Sequence, residues 1–163
     1  MIVRHDTAGA NSYNFTFYYS YYFPDSGSLI FQYSMGGWYS TAFISSVDTA
    51  QAGLELSGIV ATDTTYLLTG EYSRAGTQIS KVRTHDTFTS SLILTMSDVR
   101  IVKTTKELLS GSLSITVTGR YSGDQFFSYN ATLVITGSQS ATLTINSKVY
   151  AVNLATGVAT RTS

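Results

Sequence analysis

Apolar and aromatic side chains recur at every second residue along most of this chain, a period that suits strands with one buried face and does not fit an amphipathic helix. Tyr13, Phe15, Phe17, Tyr19, Tyr21 and Phe23 fall on one side of an extended backbone, with Asn14, Thr16 and Ser20 on the other. Pro24-Asp-Ser-Gly27 predicts a turn, since Pro presets φ and Gly accepts positive φ. Alternation resumes at Leu29, Phe31, Tyr33 and Met35, so the two runs predict an aromatic hairpin. Gly36-Gly37 interrupts it, and Trp38 to Val47 reads as a strand with a bulge or as a short helix before Gly53.

Beyond Gly53 the pattern is regular. Leu54, Leu56 and Val60, then Tyr66, Leu68 and Tyr72, predict two strands joined at Thr62-Asp-Thr64, and Arg74-Ala-Gly76 predicts another turn. Ile79 to Arg83 is short and charged, as expected of an edge strand guarded against self-pairing. Leu92, Leu94 and Met96 follow, then Val99 to Val102, a polar turn at Lys103-Thr-Thr-Lys106, and a strand with Leu113, Ile115, Val117 and Tyr121 on one side. Ser122-Gly-Asp124 closes it. Phe127 to Ile135, Ala141 to Ile145 and Tyr150 to Leu154 form a closing meander with turns at Gly137-Ser138 and Asn146-Ser147. About ten strands at this spacing predict an all-β fold, an antiparallel sandwich or partly open β-barrel with meander connections. No crossover helix separates them, which excludes a parallel α/β sheet. The 163 residues suit one domain, with residues 1–12 expected as a flexible N-terminal segment.

Ten acidic residues balance ten basic ones and only 12% of the chain is charged, so no basic footprint for nucleic acid or an anionic membrane is present. Polarity comes from Ser and Thr, more than a quarter of the chain, and from twelve tyrosines. That composition points to a bacterial envelope or secreted protein. Met1-Ile-Val-Arg-His-Asp has no apolar h-region and no transmembrane run occurs, so an exported form is expected to have lost its signal.

Three C-terminal segments carry a resemblance: Gly111-Ser-Leu-Ser-Ile-Thr-Val-Thr-Gly119, Ala131-Thr-Leu-Val-Ile-Thr-Gly137, and the hairpin from Ala141 to Gly157. Over about the last 50 residues this succession resembles β-domains of bacterial envelope lipoproteins and secreted proteins of unknown function. The resemblance implies the compartment and the β-rich fold, and brings no catalytic residue. Where that group usually has Asn-Gly at the last turn, this chain has Asn146-Ser147, and Ser tolerates positive φ less well than Gly.

Four sets of residues are candidates for chemistry or binding. His5-Asp6 and His85-Asp86 hold the only histidines, and together they would offer nitrogen and oxygen ligands to a metal; apart, they are exposed loop residues. A three-residue loop at 62–64 would set Glu55 opposite Glu71, a carboxylate pair at the spacing a retaining glycosidase uses, or else two screened charges on a wet face. Tyr18 and Tyr22, on the face opposite Phe15, and Trp38-Tyr39, after the glycine pair, offer aromatic platforms for sugar rings or a protein interface; burial on both faces is the structural alternative. The absence of cysteine, of a Gly-x-Ser-x-Gly elbow and of a phosphate loop disfavours nucleophilic and nucleotide chemistry.

The sequence thus points to a non-enzymatic envelope or secreted β-domain without a cofactor, binding or scaffolding an apolar small molecule or a protein partner, with a homodimer compatible. A carbohydrate-binding or carbohydrate-active module is the alternative, and an assembly or adhesion subunit the third.

Overall fold

In the computed structural model the described residues are 1–9, 11–25, 27–82, 85–122, 125–137 and 139–162. The turn positions Ser26, Arg83, Gly123, Asp124 and Ser138 lie outside them. Eleven strands follow one another in a single antiparallel meander: β1 (Ile2–Ala8), β2 (Asn11–Asp25), β3 (Ser28–Ser40), β4 (Ile44–Ser57), β5 (Thr65–Ser80), β6 (Thr87–Val102), β7 (Leu108–Tyr121), β8 (Phe126–Gly137), β9 (Ser140–Ile145), β10 (Lys148–Asn153) and β11 (Ala159–Arg161). β1 and β11 stay unpaired with each other, so the sheet is not closed into a barrel. All the strands belong to one sheet, and the second sheet that a sandwich needs is not among them. No helix occurs among the described residues.

Directly paired residues share a face, so the register sorts the side chains into two sets. One row runs Phe17, Met35, Ala50, Arg74, Leu92, Val117 and Tyr129 across β2 to β8. Its neighbour runs Tyr19, Tyr33, Ala52, Tyr72, Leu94, Ile115 and Ala131. This is the apolar face. The alternate rows form a polar face, for example Tyr18, Ser34, Gln51, Ser73, Ile93, Thr116 and Asn130. Hydroxyls ladder across it, Ser91 to Thr118 at 2.7 Å and Thr116 to Asn130 at 3.1 Å.

With a single layer, burial comes from neighbouring strands. Ala50 is 6% exposed and Ala141 4% because larger side chains flank them on the same face. Glycines on the apolar face obey the same logic: a Cβ at Gly37 would collide with the ring of Phe15 directly opposite, and one at Gly119 with Phe127. These rings supply the bulk a strand glycine lacks, and each such cross-strand pair contributes about 0.2–1 kcal/mol. Lateral packing still leaves much surface wet. The accessible area is 10206 Å², against roughly 8,000 Å² for a compact monomer of this 17.7 kDa mass.

Cross-strand filling also explains where the strands outrun the sequence expectations. Gly36-Gly37 does not break the chain, which stays extended through Trp38 to Ser40 and turns at Thr41, whose hydroxyl accepts from the amides of Phe43 and Ile44 at 3.1 Å each. Ile44–Val47 then opens β4 as regular strand, not helix. Arg74-Ala-Gly76 lies inside β5, because Asp48 on β4 occupies the space beside Gly76 and pairs with Arg74. Ile79 consequently ends an interior strand, not an edge. Residues 2–8, expected as part of a flexible segment, form the edge strand β1 against Asn11–Phe17. Val60 lies in the connection between β4 and β5, where Lys103 Nζ donates to its carbonyl at 2.5 Å.

At the last tight hairpin Asn146 and Ser147 have φ of 45° and 70°, the signs of a type I′ turn, so Ser147 bears the strain the sequence predicts. Ser147→Gly is expected to raise stability by about 0.5–1 kcal/mol, while Gly37→Ala, driven into Phe15, is expected to lower it by about 1–3 kcal/mol. Urea midpoints of the two variants check both signs.

Candidate functional site

The polar face carries an open groove of about 640 Å³ between β2 and β5, lined by Tyr18, Ser20, Gln32, Ser34, Gln51, Glu71 and Ser73, together with Tyr19, Tyr33, Ala52 and Gly53. Its depth has a simple origin. A Cβ built at Gly53, on the groove floor, meets nothing within 4 Å, and the same holds at Gly36 on this face. Glycines here leave space open, whereas Gly37 and Gly119 on the opposite face have theirs filled by rings.

Of the four aromatic candidates, three share this face. Tyr18 stands opposite Ser34, Tyr22 opposite Ile30, and Trp38 opposite Asn14. Four residues separate Asn14 from Tyr18 and Tyr18 from Tyr22, so the rings follow the strand direction at steps of about 13 Å. They are half-exposed, at 52% for Tyr18, 51% for Tyr22 and 43% for Trp38. Tyr39 points to the apolar face, where its hydroxyl accepts from Gln78 Nε2 at 3.2 Å.

The apolar face has its own polar inclusion. Asp48, 4% exposed, accepts from Arg74 Nη2 at 2.7 Å and from Ser46 Oγ at 2.6 Å, one bond to each carboxylate oxygen. Phe15, Tyr33, Met35, Tyr39 and Tyr72 join the pair around a depression of about 310 Å³. The hydrogen bond to Asp48 pushes the Arg74 guanidinium up from its ordinary value, and burial, with Tyr72 adding, pushes up the Tyr33 phenol. Sequence reasoning missed this cluster because it placed Arg74 in a turn. The opposite charges of Asp48 and Arg74 were the available signal.

The two remaining candidates are not assembled. β2, β3 and β4 separate His5 on β1 from β5, and His85 lies in the connection after β5. No group of three or more metal-ligating residues occurs among the described residues. Glu55 faces Thr69 and Glu71 faces Gly53, so the expected carboxylate pair is offset by two residues. The β4 to β5 connection spans residues 58–64, not three residues, because Gly58 at φ 73° leaves the strand early and Ile59 N donates to Gly27 O at 3.3 Å. The two carboxylates keep to the polar face, and only Glu71 lines the groove.

No family model, curated protein or solved structure matches the chain.

Arg74 is half-exposed and Asp48 is not, so removing the cation strands a buried carboxylate. Arg74→Met is expected to cost about 1–3 kcal/mol, and Asp48→Asn added to it to recover part of that loss, read from a denaturation cycle. Tyr33 gives a pH signature. Its folded pKa lies above the unfolded 10.0, so its stabilising contribution is complete below that value and is lost as pH rises through the folded one. Between about pH 9 and about pH 11 the wild type should therefore lose more stability than Tyr33→Phe.

Proposed function

We propose that this chain is a non-enzymatic binding domain of a bacterial envelope or secreted protein, and that its polar groove takes a glycan. The supporting observation is Tyr18 in the groove lining beside hydroxyl and amide groups and one carboxylate, with Trp38 and Tyr22 further along the same face. Sugars present C–H faces that stack on aromatic rings and hydroxyls that pair with such groups. Gln32, Gln51 and Glu71 come from three successive strands, β3, β4 and β5, so a ligand across them is fixed by backbone ladders instead of by mobile loops.

The same groove offers little to catalysis. Glu71 has no second carboxylate opposite it, and no histidine lines the groove. An envelope address rests on the hydroxyl-rich composition and on the C-terminal resemblance. An apolar small molecule is the second reading, supported by the depression around Tyr33 and Tyr72 on the other face.

The single tryptophan lies on the same face, four residues along β3 from Ser34 of the groove lining, and serves as the reporter. Titration with bacterial and plant oligosaccharides should shift its fluorescence for at least one member. Tyr18→Ala should weaken that binding about tenfold or more. Gly53→Leu should abolish it by filling the floor while leaving the unfolding midpoint near wild type, and Tyr39→Ala should leave it intact. A panel without any response would sink the glycan reading.

A further inference from the structure

We propose that the apolar face is covered by a second copy of this chain, two sheets packing face to face as a β-sandwich across a two-fold axis. The proposal does not rest on the glycan reading, whose groove would remain on the outside.

Area is the first support. The chain exposes about 2,200 Å² more than a compact monomer of its mass. Two copies burying that excess would hide about 4,400 Å² in total, within the range of permanent homodimers and well above the standard interface. A small molecule seated in the depression beside Tyr33 would leave most of this face in water.

Composition is the second. Across β6 and β7 the face presents Leu92, Leu94 and Met96 directly opposite Val117, Ile115 and Leu113, six unbroken apolar side chains. Among the described residues of strands β2 to β9, the register puts only Asp48 and Arg74 as charged residues on it, and they neutralise one another; Lys103 and Lys106, in the connection after β6, lie over the Tyr66 ring at its rim, at 5.1 and 5.3 Å. Burying the strand-built interior of the face therefore strands no unpaired charge, the usual obstacle to such contacts, while the lysines stay at the rim.

Shape is the third. Sheets stack about 10 Å apart with strands aligned to within about 30°, and the unequal sizes of residues along the rows give knobs and gaps for the partner to interdigitate. Phe15, Gly37, Asp48, Gly76, Ser90, Gly119 and Phe127 form one such row. A two-fold axis parallel to the sheets and midway between them brings the same patch to itself, as an isologous dimer needs.

Sedimentation equilibrium of the wild-type chain from about 1 to about 100 µM tests this, with a mass of about 35 kDa expected, twice the 17.7 kDa chain. Ile115→Lys on the apolar face should return the monomer mass, while Thr116→Lys, its neighbour on the polar face, should leave the dimer. Because a lysine at 115 can also unfold the sheet, the wild-type thermal midpoint is followed over the same concentrations, and it should rise with concentration. A 17.7 kDa species throughout overturns the proposal. So does a midpoint independent of concentration, or a folded Ile115→Lys variant that stays dimeric. Monomer that co-sediments with phosphatidylethanolamine and phosphatidylglycerol vesicles would also overturn it, assigning the face to lipid.

Discussion

Phe15 over Gly37 and Phe127 over Gly119 are instances of the contact on which this sheet depends: a large side chain filling the room its opposite neighbour leaves. In a domain of two packed layers the interior is shielded from above. Here shielding comes from the side, strand to strand, and so the most buried positions of β4 are small or polar ones, Ser46, Asp48 and Ala50. The same constraint accounts for strand length. A strand of 14 to 16 residues, as β4 to β7 are, offers more lateral contacts per turn than a short one. It also accounts for the Asp48–Arg74 pair, since the Asp48 carboxylate occupies the space that Gly76 leaves beside β4.

Much of this was legible in the sequence. Period-2 alternation identifies the strands and their faces, because side-chain direction in a strand is fixed by residue parity. Tyr18 and Tyr22 were assigned to the face opposite Phe15, and the register agrees. What the sequence hid were continuations. Gly36-Gly37 and Gly76 look like punctuation when each strand is considered alone, and only the partner strand, with Phe15 or Asp48, shows that the backbone stays extended. Parity likewise decides a face but not a loop length, which is why Glu55 and Glu71 kept their face and lost their pairing. The layer number was hidden too, since a sheet with one apolar face reads the same whether its cover lies in the same chain or in another molecule.

The two faces divide the chemistry between them. On the polar side, glycines left open make a groove lined by Tyr18, with Tyr22 and Trp38 on the same face; on the apolar side, filled glycines and a neutralised ion pair adjoin the depression at Tyr33. A binding function on one face and association on the other follow from that asymmetry as proposals. The edges are a third surface. β1 covers only Asn11–Phe17 of β2, and β9 only Ala131–Gly137 of β8, so Tyr18–Asp25 and Phe126–Tyr129 carry strand edge with no neighbouring strand on one side.

Residue-resolved amide hydrogen exchange tests the central claim, an open single sheet held by lateral packing, most directly. The slowest amides should lie in β4 to β7, which have strands on both sides, while alternate amides of Tyr18–Asp25 and those of β1 facing outward should exchange at near solvent rates. Uniform protection of every amide in Tyr18–Asp25 and β1 would contradict the open sheet, since it would require those edges to be paired.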